Sequence, residues 1–264
     1  MREQSPTSRL RKAGFSDPLR ASRLLAEPAS AQLGGLDPED FAPVADPDQC
    51  LLALIRLAEA CADSTGLESC LRGPGRRGLL AVLGMSSVLG DFVVSHPGAL
   101  DVFERRERLE DVTLAGERRS ALTAVGADPD DDVPVAASGG HDAINAMRAH
   151  YFERILSIAA ADLTGPDSLA AMPCVSAAIS HAVGGALEAA LAVARVGVPG
   201  AENVGLTIVA MGKTGACELN YVSDVDVVYV VGLAESFDAP AAAPSDRSVD
   251  EDELMRLGTE LAVE

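Results

Sequence analysis

The chain has 264 residues, enough for one or two domains with a sizeable core, and 48% of them are hydrophobic, which excludes a disordered protein. Aromatic residues make up only 3% and there is no Trp, so Leu, Val, Ile and Ala must fill the core, which favours helices packed through small aliphatic side chains. A formal net charge of −19 repels phosphate backbones and anionic lipids, so neither nucleic acid nor a membrane surface is expected as a partner.

Residues 1–10 are polar and are expected to be disordered, and MREQSPTSRLRK lacks the apolar run of a signal peptide. A helical region is predicted over 11–198. Ser16-Asp17-Pro18 supplies its first start signal, a capping side chain ahead of Pro in the first turn, for a short helix through Leu25. Residues 28–48, rich in Pro, Gly and Asp, read as a connection. From Cys50 onward, Leu51, Leu54, Ile55 and Ala58 recur at three- and four-residue spacings and mark one apolar stripe. Gly73-Pro74-Gly75 breaks the chain, and Leu79 to Val93 suggest two helices meeting around Gly84 or Gly90 before His96-Pro97 ends the run. Residues 110–142 are expected as a flexible linker, because 126–141 hold four Asp, two Pro and three Gly, a solvated tract rather than a metal site. Two long helices then follow. Ile144, Met147, Tyr151, Ile155 and Ile158 line the first, and Ile179, Val183, Leu187, Leu191 and Ala194 the second. Asp91, His181 and Glu188 interrupt the longest apolar stretches, so no membrane span is predicted and the cytoplasm is the expected location. Cys50, Cys61, Cys70, Cys174 and Cys217 form no C-x-x-C and are odd in number, which predicts buried, reduced thiols.

A second domain is expected over 199–264. Leu206–Ala210 and Val225–Val231 read as short strands either side of a Gly-bearing turn, and the acidic tract at 250–253 opens a final helix. The fold class is therefore α+β. Two signals compete in VAMGKTGACELNYVSDVDVVYVV, residues 209–231. Its GKT is the tail of a phosphate-binding loop, but that loop requires a Gly where Thr207 stands, and residues 206–210 read as strand. The GKT is set aside on that count. In SDVDV, a strand would carry Asp224 and Asp226 on one face, roughly 6.5–7 Å apart at Cα. Carboxylates at that separation can converge on metal ions about 3.5–4 Å apart. A turn residue followed by a charged sheet end is the plain alternative for any isolated D-x-D. Here an apolar strand would surround the pair, where a carboxylate is costly unless something compensates it.

Strand, Gly turn and D-x-D together resemble the polymerase beta-type nucleotidyltransferase superfamily. The whole string is closer still to the G-M-G-K-x-G-x-x-E-L-N-Y-x-S-D-x-D signature of glutamine synthetase adenylyltransferases, matched by Met211, Gly212, Lys213, Gly215, Glu218, Leu219, Asn220, Tyr221, Ser223, Asp224 and Asp226. The segments GFSDPLRASRLLAE (14–27), LLAVLGMSSVLGDFVVSHP (79–97) and YFERILSIAAADLTG (151–165) are similar to the N-terminal half of that family. The resemblance implies an incomplete nucleotidyltransferase-type mixed sheet with helices following the helical region. It also implies an enzyme that removes AMP from a tyrosine of glutamine synthetase by phosphorolysis, its other half adding AMP from ATP. Asp224 and Asp226 would be catalytic ligands of Mg2+. Gly212 would let the backbone approach a phosphate, Ser223 would donate to one, and Lys213 would contact a phosphate or stand as a solvated lysine. The substrates would be ATP or ADP and phosphate, and the partners glutamine synthetase and a PII-type signalling protein.

Two departures stand out. Thr214, Ala216 and Cys217 replace the family's usual residues in the turn, and no later strand offers the superfamily's third carboxylate, Asp246 and residues 250–253 reading as loop and helix start. The sequence therefore reads as the front part of a longer enzyme. The rival from another class is a non-catalytic helical module that docks glutamine synthetase or a nitrogen-signalling protein.

Overall fold

A computed structural model describes residues 5–34, 36–61, 65–105, 107–233 and 251–263 of the chain. It is helix-rich, with one two-stranded sheet among the described residues, in line with the α+β expectation. The chain divides into two compact units, one formed by Met1–Arg108 and Ile155–Ala171, the other by Leu109–Arg154 and Met172–Glu264.

In the first unit, α1 (Pro6–Lys12) covers part of the stretch expected to be disordered. Ser5 caps it by accepting the Ser8 N–H, and Pro6 occupies its first turn, so a polar sequence still forms a helix and buries Leu10. Asp17 caps α2 (Pro18–Leu24) in the way its sequence predicts, accepting the Arg20 N–H at 2.9 Å. Two 3-10 turns, Pro28–Leu33 and Pro38–Phe41, fill the connection. The stripe from Leu51 to Ala58 lies on α3 (Pro47–Ala60) and is fully buried. Each such Leu or Ile stabilises by roughly 1.5–3 kcal/mol relative to exposure. α4 (Thr65–Arg72), which the sequence reading missed, buries Leu67, Cys70 and Leu71.

α5 (Arg76–Met85) and α6 (Ser87–Ser95) pack on α3. Their junction is Ser86, not Gly84 or Gly90. Ser86 ends one helix and caps the next through its hydroxyl, which accepts the Leu89 N–H at 3.2 Å. Gly84 stays helical because α5 needs it for close approach: a Cβ there would collide with Val44 and sit 3.1 Å from the Asp46 carbonyl oxygen. After a 3-10 turn at Pro97–Leu100, α7 (Asp101–Glu104) buries Phe103. Burial pushes the thiols of Cys50 and Cys70 up to about 12; none of the five cysteines forms a disulfide, but Cys61, Cys174 and Cys217 are only half-buried, where burial was expected of all five.

The second unit opens on a 3-10 turn at Leu109–Asp111, followed by α8 (Leu114–Ala124), which Thr113 caps. This helix occupies much of the stretch expected as a flexible linker. The acidic loop behind it is exposed at Asp128, Asp130, Asp131 and Asp132 but pinned from beneath. The Ala136 N–H donates to the Ala192 carbonyl at 2.9 Å, and Arg118 and Arg195 donate to the Pro129 and Pro134 carbonyls. Ala127 and Ala136 are buried with Leu122 and Ala189 in one cluster. Backbone satisfaction thus holds in place a loop whose composition alone signalled freedom. The long helices are α9 (Gly140–Thr164) and α10 (Ser168–Gly197). By length and composition α10 could cross a membrane, but 56% of its most apolar window is buried in the protein, as for a core helix.

β1 (Val204–Ala210) and β2 (Val227–Leu233) pair antiparallel, from Val204 opposite Leu233 to Ala210 opposite Val227. One face of this ribbon packs on α10 and on α12 (Glu251–Val263). Val204, Leu206 and Val231 meet Leu191, Val198, Leu257 and Leu261 there. A two-stranded ribbon is marginal alone, so these helices hold the strands in place.

Candidate functional site

Between the strands the chain makes a single helical turn, α11 (Gly212–Gly215), and then a loop over 216–226. The Met211 N–H donates to the Asp226 carbonyl at 2.8 Å, adding one bond beyond the last strand pair. Gly215 donates to the Met211 carbonyl at 3.0 Å and Glu218 to the Lys213 carbonyl at 2.8 Å, which closes the turn. The GKT therefore forms a tight turn at the end of β1, and no phosphate-wrapping loop surrounds it.

Gly212 is required here twice over. Its φ is +52°, a conformation an L side chain adopts with strain, and a Cβ on it would lie 3.2 Å from Asp226 Oδ2. The Asp226 carboxylate thus lies against bare glycine backbone.

Asp224 and Asp226 do not lie within the strand. β2 begins at Val227, two residues later than its apolar run suggested, and both aspartates are exposed ahead of it. Ending the ladder there spares the carboxylates the burial cost a strand interior would impose. Lys213 is also exposed, and its ammonium has no partner among the described residues. Ser223 lies half-buried in the loop just ahead of the pair. Its hydroxyl donates to Asn220 Oδ1 at 2.8 Å while accepting the Asn220 N–H at 3.2 Å, and Asn220 Oδ1 also accepts the Val222 N–H. This Asn–Ser turn shapes the backbone that carries Asp224.

Leu219 and Thr214, named in the motif without a role, and Ser180, which the sequence reading did not name, lie where the loop meets the core. Leu219 is buried, and its N–H donates to Ser180 Oγ of α10 at 3.4 Å. Thr214 is buried with its hydroxyl unpartnered. An apolar Leu inside a polar loop was the available signal for Leu219; nothing local marks Ser180.

The donor set can be weighed for a metal. Among the described residues no three His, Cys, Asp or Glu side chains cluster as a metal cage. Two exposed carboxylates fit a hard cation that keeps its waters and takes further oxygens from a phosphorylated substrate, the habit of Mg2+ rather than of zinc.

A strand, a glycine turn and an aspartate pair ahead of the returning strand make this a nucleotidyltransferase-type motif on a helix-rich α+β chain. Comparison with known proteins narrows the class. The family model for glutamate-ammonia ligase adenylyltransferase matches residues 77–261. Bifunctional glutamine synthetase adenylyltransferase/adenylyl-removing enzymes of Bifidobacterium longum subsp. infantis, Streptomyces avermitilis and Leifsonia xyli subsp. xyli are 35%, 36% and 34% identical to the chain. These matches cover 95%, 100% and 99% of this chain but 23%, 25% and 26% of the relatives, so the chain spans about a quarter of their length. No solved structure matches it. The chain belongs to the glutamate-ammonia ligase adenylyltransferase family.

Proposed function

We propose that this chain carries the nucleotidyl-transfer motif of an enzyme that removes AMP from a tyrosine of glutamine synthetase, the same enzyme adding AMP from ATP elsewhere along its length. In the removing direction inorganic phosphate attacks the AMP phosphorus, the bond to the tyrosine oxygen breaks, and ADP and the free tyrosine leave. Asp224 and Asp226 would hold Mg2+, which would supply positive charge against the phosphoryl oxygens. Gly212 admits a phosphate to the backbone because no Cβ stands in its way. Lys213, the one cation of the loop, offers an ammonium to the same oxygens. The Asn220–Ser223 turn fixes the backbone that presents Asp224.

The observation that carries this reading is the convergence of the Asp226 carboxylate and the Gly212 backbone at the open end of the ribbon. Glutamine synthetase is the protein substrate on this reading, a PII-type signalling protein its regulator and the cytoplasm its location. A surface of net charge −19 suits none of the polyanionic alternatives.

The test is calorimetric titration of ADP into the chain with and without Mg2+, for the parent and for Asp224→Asn/Asp226→Asn. Mg2+-dependent binding that the double variant loses is the expected result. Binding that ignores both Mg2+ and the substitutions sinks the metal assignment and leaves the helical docking module as the better account. Release of ADP from adenylylated glutamine synthetase and phosphate by the isolated chain should be weak, because a third carboxylate is missing among the described residues near the pair.

A further inference from the structure

The first unit contains a polar cavity, built by elements that the nucleotidyl-transfer motif does not use. It measures about 300 Å³ and lies among the start of α5, the end of α7 and the C-terminal part of α9. Arg77 and Arg105 line it, with Glu107, Ser157, Thr164 and the ring of Phe103.

The two arginines are the unusual feature. The chain has 40 acidic residues against 21 Lys and Arg, so a guanidinium finds a carboxylate easily. Arg9, Arg56, Arg72, Arg76, Arg118, Arg119, Arg154 and Arg256 each hold one. Arg76, the neighbour of Arg77, is paired with Asp40. Arg77 and Arg105 hold none among the described residues; Arg11, Arg20, Arg23, Arg148 and Arg195 hold none either, and what sets Arg77 and Arg105 apart is that both border the same cavity. The lining has a single carboxylate, Glu107, and its Oε2 accepts the buried Ser157 hydroxyl at 2.6 Å. Two guanidiniums against one engaged carboxylate leave a local positive surplus inside a strongly negative protein. Planar guanidinium forks match carboxylate and phosphate oxygens two at a time. Ligand pockets run from roughly 300 to 1,000 Å³, so a cavity at the bottom of that range takes a small metabolite rather than a nucleotide triphosphate.

We propose that this cavity is a binding site for a small phosphate or carboxylate anion, gripped by Arg77 and Arg105 and separate from the nucleotidyl-transfer motif. Phe103 supplies an apolar wall for the ligand's carbon part, and Thr164 a hydroxyl whose proton is already given to the Ala160 carbonyl, leaving an acceptor toward the cavity. The proposal does not rest on the function assigned to Asp224 and Asp226.

The experiment is calorimetric titration of the 264-residue chain with inorganic phosphate and, separately, with succinate, each to about 10 mM, a range that detects affinities down to the millimolar. At least one of the two should bind saturably, and the one that does names the ligand's acid group. Arg77→Gln/Arg105→Gln should weaken that binding by about tenfold or more, since a charge-assisted hydrogen bond to each guanidinium is lost. Arg77→Lys/Arg105→Lys should recover part of it, and Asp224→Asn/Asp226→Asn should leave it intact. Both arginines are exposed, so the Gln variant should melt with the parent, which separates lost binding from lost fold. Absence of saturable binding by either anion overturns the proposal. So does binding that survives the Gln variant, or that disappears only in the Asn variant.

Discussion

Gly212→Ala tests whether the turn is built to hold a carboxylate against bare backbone. The added methyl group meets two penalties of different kinds. At φ +52° an L residue is strained by about 1 kcal/mol, a cost that appears in stability. The Cβ also lies 3.2 Å from Asp226 Oδ2, tighter than an ordinary contact, so one of the two must yield by a few tenths of an ångström. Asp226 is exposed and can swing outward almost freely, so the second penalty falls on the position of the carboxylate, not on the fold. The melting temperature should therefore fall by only about 2–4 °C, the scale of 1 kcal/mol in a chain of this size. Mg2+-dependent ADP binding should weaken by at least about tenfold, as when a metal ligand loses its orientation. Asp226→Asn, which keeps the glycine and removes the charge, should lose the binding without the drop in melting temperature. Scanning calorimetry and titration calorimetry on the same preparations give both readings. An alanine variant that binds Mg2+ and ADP like the parent refutes the reasoning, whether or not it melts earlier.

Two further expectations concern the second unit. Glu117 is 6% exposed and receives Arg154 through Nε at 3.0 Å and Nη2 at 2.6 Å, so Glu117→Gln removes the charge that these bonds to a largely buried guanidinium rely on. Because the Arg154 side chain keeps 21% exposure, the loss should lie near the low end for broken buried pairs, about 3 kcal/mol, and a urea-unfolding difference under about 1 kcal/mol would contradict it. His150 has a buried Nε2 with no partner, and desolvation, with Arg154 adding to it and Glu117 and Glu153 opposing it, holds its pKa below the ordinary 6.5. The unfolded chain then binds a proton that the folded chain refuses, so the stability contributed above pH 6.5 is lost as the pH falls below that value. His150→Gln should flatten the slope of stability between about pH 6.5 and 5, and an unchanged slope there would assign it to other groups.

What the sequence made legible was whatever repeats locally. The stripe on α3 follows the 3.6-residue period from Leu51 to Ala58, and the Asp17-Pro18 start needs only its immediate neighbours. α4 escaped because its eight residues carry only three buried side chains, too few to establish a period. The junction at Ser86 was misplaced because glycine was read as a break, whereas Gly84 serves a contact with Val44, 40 positions away in the chain and invisible to any local pattern. The motif was legible in the same uneven way. Its residue types were evident in the string from Met211 to Asp226, and the turn does bring Gly212 and Asp226 together.

The burial assumed for the motif was wrong, and the reason bears on how the ribbon works. A run from Val225 to Val231 with scarcely a polar residue reads as an apolar strand that surrounds the aspartates. In the structure only one face, through Val231 and its neighbours, meets α10 and α12. Val228 and Val230, which alternate to the opposite face, remain 48% and 47% exposed, and Val209 beside them 41%. Composition cannot distinguish a strand covered on both faces from one covered on one, because β-branched residues suit the extended backbone either way. The carboxylates follow the same logic. At the open end of a half-covered ribbon Asp224 and Asp226 keep their hydration, so their charge needs no buried counter-charge to persist. They are held in place instead by backbone, through the Met211–Asp226 bond on one side and the Asn220–Ser223 turn on the other. An acidic pair fixed in this way is free to take its compensating charge from outside the chain, which is what a cation-dependent site requires.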